Sequence, residues 1–252
     1  MKIDLQDHRI LLTGATRGIG RAIAQLLLES GATVGIHYRT SEQSAAQFAR
    51  DFPLQCSLHQ EDLSQPGAAG RLVSSFLDAW KGIECLINNA GIAISQTPAP
   101  DSPTWTETWQ HTLQVNLVAA AEATESALPY FVDAQNGRII HIASRAAFRG
   151  DKPEYAAYAA SKGGLVAYSK SIARGFGKQG IKSFVVAPGF TRTDMASQFI
   201  ETYGEEIIQH DLALSHVTEP EDIAPTVLCL ASGMMDHATG STIDLNAGSY
   251  IR

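Results

Sequence analysis

Short runs of apolar and β-branched residues alternate along this chain with longer stretches of helical periodicity. The predicted strands cover residues 9–13, 33–38, 54–58, 84–89, 137–143, 182–188 and 241–245. The helical patterns cover residues 18–30, 42–51, 66–80, 104–132, 155–179 and 220–232. Such alternation is typical of repeated βαβ units, whose right-handed crossovers place the strands in one parallel sheet. We therefore predict an α/β fold with a doubly wound sheet of seven strands and a ligand site at their carboxyl ends.

The length of 252 residues allows one large domain or two small ones, and the sequence favours a single domain over 1–252. The best candidate for a break, SQTPAPDSPTW at 95–105, is short and is interpreted as a loop. The least regular segment, residues 191–216, is predicted to contain one or two short helices and to form a substrate lid. The apolar residues in and beside it could instead belong to the core: Phe190, Met195, Phe199 and Ile200.

The charge of the chain bears on its partners. Lys and Arg number 19 against 26 Asp and Glu, a formal net charge of −7, which works against nonspecific binding to nucleic acid or anionic membranes. We therefore expect a small-molecule or protein partner. The first residues, MKIDLQDHRILLTGAT, do not form a secretory signal, and no run of about 18 apolar residues occurs. We expect a soluble, cytoplasmic protein.

Cysteine and histidine residues indicate neither a disulfide nor a metal site. Cys56, Cys85 and Cys229 lie far apart among apolar neighbours, so they are predicted to be reduced, buried side chains. None of the eight histidines forms an i, i+4 pair or joins a cysteine cluster with ligand spacing. We predict no bound metal.

The loop after the first predicted strand is rich in glycine. In TGATRGIG, Thr13 to Gly20, the glycines Gly14, Gly18 and Gly20 permit positive φ and close approach of the backbone to a bound group. The following helix offers free N–H donors to a pyrophosphate. The spacing differs from G-x-G-x-x-G, because three residues separate the first two glycines, and a purely structural turn would explain the loop equally well.

The end of the second predicted strand bears on cofactor choice. HYRTS, residues 37–41, has no carboxylate for a ribose 2′-hydroxyl. Arg39, with Arg17 from the glycine loop, could instead neutralise a 2′-phosphate, so NADP(H) is predicted over NAD(H). An ordinary solvated arginine is the alternative for Arg39.

Asp62 and Leu63 follow the third strand, at the position where an adenine ring would lie, although Asp62 or Ser64 could simply cap a helix.

The stretch YAAYAASK, residues 155–162, contains two tyrosines and a lysine. In a helix, Tyr158 and Lys162 share a face about 6 Å apart along the axis, whereas Tyr155 is about 10.5 Å from Lys162. An ammonium near a tyrosine lowers the pKa of that tyrosine from about 10. The spacing therefore favours Tyr158 over Tyr155 as the tyrosine that Lys162 can affect.

Six motifs occur in the order found in one family: TGATRGIG, NNAG at 88–91, Asn116, Ser144, Tyr158-x-x-x-Lys162 and PGFTRT at 188–193. Together they resemble the classical short-chain dehydrogenase/reductase family over nearly the whole chain. The resemblance implies a single Rossmann-type domain and a homotetramer assembled through two long helices that begin near Thr104 and Tyr155.

The resemblance also implies residue roles. Tyr158 would be the general acid, Lys162 would tune its pKa and hold the nicotinamide ribose, and Ser144 would donate a hydrogen bond to the substrate oxygen. Asn116 would hold a water in a proton relay to Lys162; a buried, paired amide is the alternative. The predicted cofactor contacts are Gly14, Thr16, Arg17, Gly18, Ile19, Gly20, Tyr38, Arg39, Thr40, Asp62, Leu63, Asn89, Ala90, Gly91, Tyr158, Lys162, Pro188, Gly189, Thr191 and Thr193.

One spacing departs from the family pattern. Ser144 and Tyr158 are 14 residues apart, one more than in many bacterial relatives. A one-residue bulge within RAAFRGDKPE, residues 145–154, would absorb the difference, whereas a displaced Ser144 would weaken its predicted role.

The substrate is the least determined part of the prediction. APGFTRTDM and NAGSYIR resemble 3-oxoacyl-acyl-carrier-protein reductases, but the chain lacks the GITRD-like stretch after NNAG that we expect of them. Arg145, Arg149 and Lys152 could form a local patch for an acidic carrier, or a solvated loop. We expect NADPH-dependent reduction of a 3-oxoacyl thioester, on acyl carrier protein or CoA, or of another small ketone. The alternatives are an NAD-dependent alcohol, polyol or hydroxysteroid dehydrogenase and, with less support, a non-catalytic NADPH sensor.

Overall fold

The computed structural model describes residues 3–97, 103–193, 196 and 204–252. Its strands are β1 (Arg9–Leu12), β2 (Thr33–Tyr38), β3 (Cys56–Gln60), β4 (Cys85–Asn88), β5 (Gly137–Ile142), β6 (Ile181–Pro188) and β7 (Thr242–Leu245). They form one parallel sheet in the order β3-β2-β1-β4-β5-β6-β7. This order confirms the predicted doubly wound sheet, and its switch point lies between β1 and β4.

Helices cover both faces of the sheet. They are α1 (Gly18–Glu29), α2 (Glu42–Asp51), α3 (Ala68–Trp80), α4 (Pro103–Leu113), α5 (Ala119–Ala134), α6 (Ala146–Arg149), α7 (Ala156–Phe176), α8 (Glu205–His210) and α9 (Pro220–Ala231). On one face, Leu27 of α1 and Val227 of α9 belong to the same buried cluster as Ile140 of β5. On the other, Phe76 of α3 and Phe131 of α5 pack with Leu86. Because both faces are buried, the central strands are mostly apolar, although Asn88 in β4 and Arg138 and His141 in β5 are buried polar residues.

The long helix predicted over 104–132 is interrupted. A π-helical turn, Gln114–Val118, separates α4 from α5, and the N–H of Ala119 donates to the carbonyl of Gln114. A π turn holds one more residue than an α turn, so the two helices differ in phase, and such turns often occur at functional sites. Asn116 lies within this turn and is buried.

The third strand begins later than predicted. The expectation was 54–58, whereas β3 is Cys56–Gln60 and pairs Cys56 with Val34. The N–H of Gln55 donates to the carbonyl of Phe52 in the turn that follows α2, and Leu54 is 87% exposed. Leu54 therefore lies in an exposed turn before β3, although its apolar side chain was interpreted as part of the strand.

Only part of the segment 191–216 is described. It contains α8, and an isolated bridge pairs Thr191 with Thr218. The predicted lid residues Met195, Phe199 and Ile200 lie outside the described residues. Across the part of the chain that is described, every helix is too short or too polar to cross a membrane.

Candidate active site

The glycine loop between β1 and α1 fits a bound phosphate group. Gly14 and Gly18 have positive φ, +64° and +48°, a region that favours glycine. Gly20 lies within α1, where a Cβ atom would stand 2.1 Å from the Gly14 carbonyl oxygen, so close approach alone demands glycine there. No side chain caps the N-terminus of α1 at Arg17. The first turn of α1 therefore presents N–H donors beside the loop.

The NNAG segment after β4 holds this loop in place. The Asn89 side-chain amide donates to the carbonyls of Thr13 and Gly14, each at 2.9 Å. The Thr13 hydroxyl accepts the N–H groups of Asn89 and Ala90 at 2.9 and 3.0 Å. The Asn89 side chain thus braces the loop. Sequence analysis missed Thr13, whose signal was a hydroxyl at the carboxyl end of β1.

The side chains at the end of β2 and in the glycine loop differ in exposure. Tyr38 is buried in the core, whereas Arg17 and Arg39 are exposed, and neither is in an ion pair with any residue that the structure describes. The pKa of Asp62 lies below its usual range, first because its carboxylate accepts the Ser64 N–H and also because Arg39 is nearby. Arg39 therefore has its guanidinium available at the edge of the cofactor region.

One alternative for this region is wrong, while the predicted adenine contact of Leu63 stays a prediction. Gly67, without a side-chain cap, precedes α3, so the alternative that Asp62 or Ser64 caps that helix is wrong. Leu63 is buried in the core between the sheet and α3, where its side chain packs against apolar residues.

The PGFTRT segment lies against the glycine loop. A Cβ atom on Gly18 would stand 2.9 Å from Cγ2 of Thr193. Gly189 is needed because its backbone approaches Asn246, where an added Cβ would stand 2.6 Å from Cα; its φ is not positive. The Thr191 and Thr193 hydroxyls donate to the carbonyls of Gly189 and Thr191, each at 3.3 Å. Two of the predicted cofactor segments are thus adjacent.

The predicted proton donor and its substrate-binding partner meet. Ser144 lies close enough to Tyr158 to lower the pKa of its hydroxyl, so the extra residue between them does not separate the two side chains. The intervening chain forms the short helix α6, a positive-φ turn at Gly150 and a 3₁₀ turn, Pro153–Tyr155. The Ser144 hydroxyl oxygen also accepts the N–H of Ala146 at 3.1 Å.

The sequence predicted that Lys162 lowers the pKa of Tyr158, but the pKa of Tyr158 is raised in the structure. Burial raises the pKa of Tyr158, the nearby hydroxyl of Ser144 lowers it, and the carboxylate of Asp151 raises it again. Lys162 Nζ lies 5.9 Å from the centre of the Tyr158 ring and donates to the carbonyl of Ile142 at 2.8 Å. Burial in turn lowers the pKa of Lys162 to about 8. In the protein alone, Tyr158 therefore keeps its proton at neutral pH.

Asn116 links three segments of the site. Its side-chain amide exchanges two hydrogen bonds with the backbone of Ile92, accepting at 2.8 Å and donating at 2.9 Å. It also donates to Ser161 Oγ at 3.0 Å, and Ser161 donates to the carbonyl of Tyr158 at 2.7 Å. Gly91 leaves room beside it, since a Cβ there would stand 3.2 Å from Lys162 Nζ. Ser161 was missed because serine within a helical run carries no distinctive signal.

The arginines after Ser144 are paired with a single carboxylate. Arg145 and Arg149 each donate through Nη1 to Oδ2 of Asp211, at 2.8 and 2.9 Å. Burial would raise the pKa of Asp211, but these hydrogen bonds hold it below its usual range. The predicted local basic patch is therefore partly neutralised, and the end of α8 is tied to the loop that carries Ser144.

Comparison with known proteins gives the class of enzyme. A family model described as "Enoyl-(Acyl carrier protein) reductase" matches residues 14–249. The chain is 32% identical over 250 residues to the 3-oxoacyl-[acyl-carrier-protein] reductase FabG of Chlamydia pneumoniae, covering 98% of this chain and 99% of the relative. It is 30% identical over 253 residues to FabG of Aquifex aeolicus, covering 99% of this chain and 100% of the relative.

Among solved structures, the protein is similar to gox2181, with a TM-score of 0.90 and 26% identity over 98% of this chain and 97% of that one. The chain belongs to the short-chain dehydrogenase/reductase family, which makes it an NAD(P)-dependent oxidoreductase and confirms the predicted family and enzyme class.

Proposed function

We propose that this enzyme reduces a ketone to an alcohol with NADPH, using Tyr158 as the proton donor. The proximity of Ser144 to Tyr158 carries this proposal, because it places two O–H groups near each other. The N–H of Arg145, the residue after Ser144, donates to the carbonyl of Pro188 at 2.9 Å, so this point lies beside the PGFTRT segment. A ketone oxygen there would accept from both hydroxyls, and negative charge developing on it would be stabilised.

Each residue of the site has a defined task in this reaction. NADPH, when bound by these residues, would supply the hydride for the carbonyl carbon. Tyr158 then gives its proton to the oxygen, while Ser144 holds that oxygen by a hydrogen bond. Lys162 has an ammonium whose one hydrogen bond among the described residues goes to Ile142, which leaves N–H donors for the ribose hydroxyls. Asn116 fixes the backbone beside Lys162 and would hold a relay water there.

The cofactor contacts follow the segments that the fold brings together. The glycine loop and the N-terminus of α1 would hold the pyrophosphate, and the Asp62 region would border the adenine. Asn89, Ala90 and Gly91 would lie along the cofactor, and the PGFTRT threonines would bind the carboxamide.

The substrate proposed is a 3-oxoacyl thioester, carried on acyl carrier protein or CoA. The names of the similar FabG proteins support this substrate class. Arg145 and Arg149 share the single carboxylate of Asp211, which reduces but does not remove the positive charge beside Ser144 that would face an acidic carrier or the CoA phosphates. The family model's name refers to an enoyl reductase, so reduction of a C=C bond is the competing reaction.

A substrate panel tests the reaction. The purified protein should oxidise NADPH with acetoacetyl-CoA or a simple diketone and should leave crotonoyl-CoA unchanged. Turnover of crotonoyl-CoA alone would instead assign enoyl reduction. Oxidation of polyols or hydroxysteroids with NAD would support the dehydrogenase alternative, and NADPH binding without any turnover would support a sensor.

Arg39 is expected to select NADPH. Arg39→Ala should raise the Kd of NADPH about tenfold or more and leave that of NADH within about twofold, because a charge-assisted bond to the 2′-phosphate is lost. Fluorescence titration with both cofactors measures this. Arg50→Ala, which removes an exposed arginine from α2, is the control. Equal losses for both cofactors would contradict the role of Arg39.

The end of segment 191–216 is proposed to act as a lid anchored by Asp211. Asp211→Asn should raise the KM for the ketone about three- to tenfold with the Kd of NADPH unchanged, because two ion pairs to the Ser144 loop are weakened. The free energy of unfolding should fall by no more than about 1 kcal/mol, since Asp211 is largely exposed. Steady-state kinetics and urea unfolding measure these effects. Asp211→Glu should recover much of the KM, and an unchanged KM in Asp211→Asn would reject the anchor.

The assembly proposed is a homotetramer in the cytoplasm, formed through the α4–α5 and α7 surfaces. Exposed Val118 and Tyr130 on the first of these surfaces support an interface there. Light scattering on the purified protein gives the assembly state directly.

A further inference from the structure

His37 connects two loops of the cofactor region that are far apart in sequence. It lies near the carboxyl end of β2 and is only 3% exposed. Its Nδ1 accepts the N–H of Gly14 at 2.9 Å, and its backbone carbonyl accepts the N–H of Ala15 at 3.0 Å. Its Nε2 lies 3.1 Å from the carbonyl oxygen of Glu61, which directly precedes Asp62. One side chain therefore fixes both the glycine loop and the loop after β3.

These two bonds determine the protonation state of the ring. Gly14 N–H can only donate, so Nδ1 must carry a lone pair. The Glu61 carbonyl can only accept, so Nε2 must carry the hydrogen. The neutral Nε2–H tautomer alone satisfies both partners. A second proton on Nδ1 would face the Gly14 N–H and break the bond to the glycine loop.

The surroundings favour this neutral form. Burial lowers the pKa of His37, while the bond to the Glu61 carbonyl and the carboxylates of Glu61 and Asp62 act in the opposite direction. On β3, His59 stands beside His37 in register, and its ring bonds to the hydroxyls of Ser57 and Ser75. Burial and the neighbouring His37 lower the pKa of His59 to about 4, so His59 adds no charge near neutral pH.

We propose that His37 is a positioning residue for the cofactor: its neutral ring holds the glycine loop and the Asp62 loop at the separation that the adenosine half requires. The proposal depends on the bound dinucleotide and not on the ketone substrate. Protonation of the ring should release the Gly14 bond and weaken cofactor binding. Cofactor affinity should then fall as the pH drops below the usual titration range of histidine.

Three replacements of His37 separate its two bonds. The amide oxygen of His37→Asn can replace Nδ1 and accept from Gly14 without titrating. The amide nitrogen of His37→Gln can replace Nε2 and donate to Glu61, and His37→Leu removes both bonds. His59→Asn is the matched control, since it changes a buried histidine on the next strand without a described bond to either loop.

The measurement is the Kd of NADPH and of NADH by fluorescence titration from pH 8 to pH 5. NADH has no 2′-phosphate, so a trend shared by both cofactors arises in the protein. At pH 7.5, His37→Leu should weaken both cofactors about tenfold, which matches the loss of a buried hydrogen bond. His37→Asn should stay within about threefold of the wild type and lose the pH dependence. His37→Gln should bind more weakly than His37→Asn.

Several outcomes would overturn the proposal. One is a wild-type pH trend that persists in His37→Asn, and another is an equal loss of affinity in His59→Asn and His37→Leu. If His37→Leu fails to fold, the comparison of the wild type with His37→Asn decides alone. A ketone panel without turnover would reject the proposed reaction and leave these binding results intact.

Discussion

Tyr158→Phe should lower kcat for ketone reduction by about 10³-fold, within the range of 10² to 10⁴ that a positioned general acid contributes. The Kd of NADPH should stay within about threefold, because the replacement removes one hydroxyl and keeps the ring. The high pKa of Tyr158 fits this role, since burial keeps the proton on the oxygen until the alkoxide develops. Single-turnover oxidation of NADPH with acetoacetyl-CoA measures the chemical step.

Tyr155→Phe is the matched control for this experiment. Tyr155 lies in the 3₁₀ turn Pro153–Tyr155 that precedes α7, three residues before Tyr158. Its replacement should leave at least about half of the turnover, whereas loss of a reacting proton donor costs orders of magnitude. A similar loss in both variants would mean that the acid has been assigned to the wrong turn, and a loss in Tyr155→Phe alone would reverse the assignment.

Lys162→Met should produce the second large effect, a fall of about 10²-fold or more in kcat/KM for the ketone. The replacement removes the ammonium that would bind the cofactor ribose and support Tyr158, and it keeps a side chain of similar length. The Kd of NADPH should rise as well, which distinguishes Lys162 from Tyr158. Parallel titration and initial-rate measurements on both variants test this difference.

The pH dependence gives Lys162 a separate readout. Burial lowers its pKa to about 8, so the ammonium is intact at pH 7 and is lost as the pH rises through 8. Wild-type kcat/KM should therefore fall about tenfold per pH unit above pH 8, and Lys162→Met should lack that descent. Tyr158 cannot account for the descent, because its pKa is raised. A wild-type profile flat to pH 9.5 would contradict a charged Lys162 in the reaction.

Folding provides the control for Lys162→Met. Because the folded protein holds Lys162 at a pKa below the unfolded value of 10.5, this group opposes folding while it is charged, and its unfavourable contribution shrinks as the pH rises from 8 to 10.5. Replacing it with methionine should leave the protein at least as stable at pH 7 in urea unfolding. A loss of activity with retained stability would then be caused by the change in the active site and not by unfolding.

The sequence predicted what local patterns encode. Apolar β-branched runs and intervening helical patterns predicted all seven strands and their order along the chain, with only β3 displaced. Tyr158 and Lys162 could be paired from their spacing because both lie in α7. The proximity of Ser144 to Tyr158 could be predicted only with the family resemblance, since helix α6 and two turns intervene.

Contacts between distant segments could not be predicted in the same way. His37 and Gly14 lie 23 residues apart, and Thr13 and Asn89 lie 76 apart, so only the parallel pairing of strands brings them together. The pKa of Tyr158 was also missed, because the sequence shows its neighbour on the helix and not how far the fold removes each side chain from water, Lys162 fully and Tyr158 in part.

The geometry of this site depends on the one extra residue that the π turn at Asn116 contains. Deleting a single residue from Gln114–Val118 would let α4 and α5 join as a regular α-helix, and every side chain beyond it would turn by about 100° relative to α4. Asn116 could then face Ile92 and Ser161 only if α5 lost its packing against α3. The number of residues between α4 and α5 is therefore as important for this site as the asparagine itself.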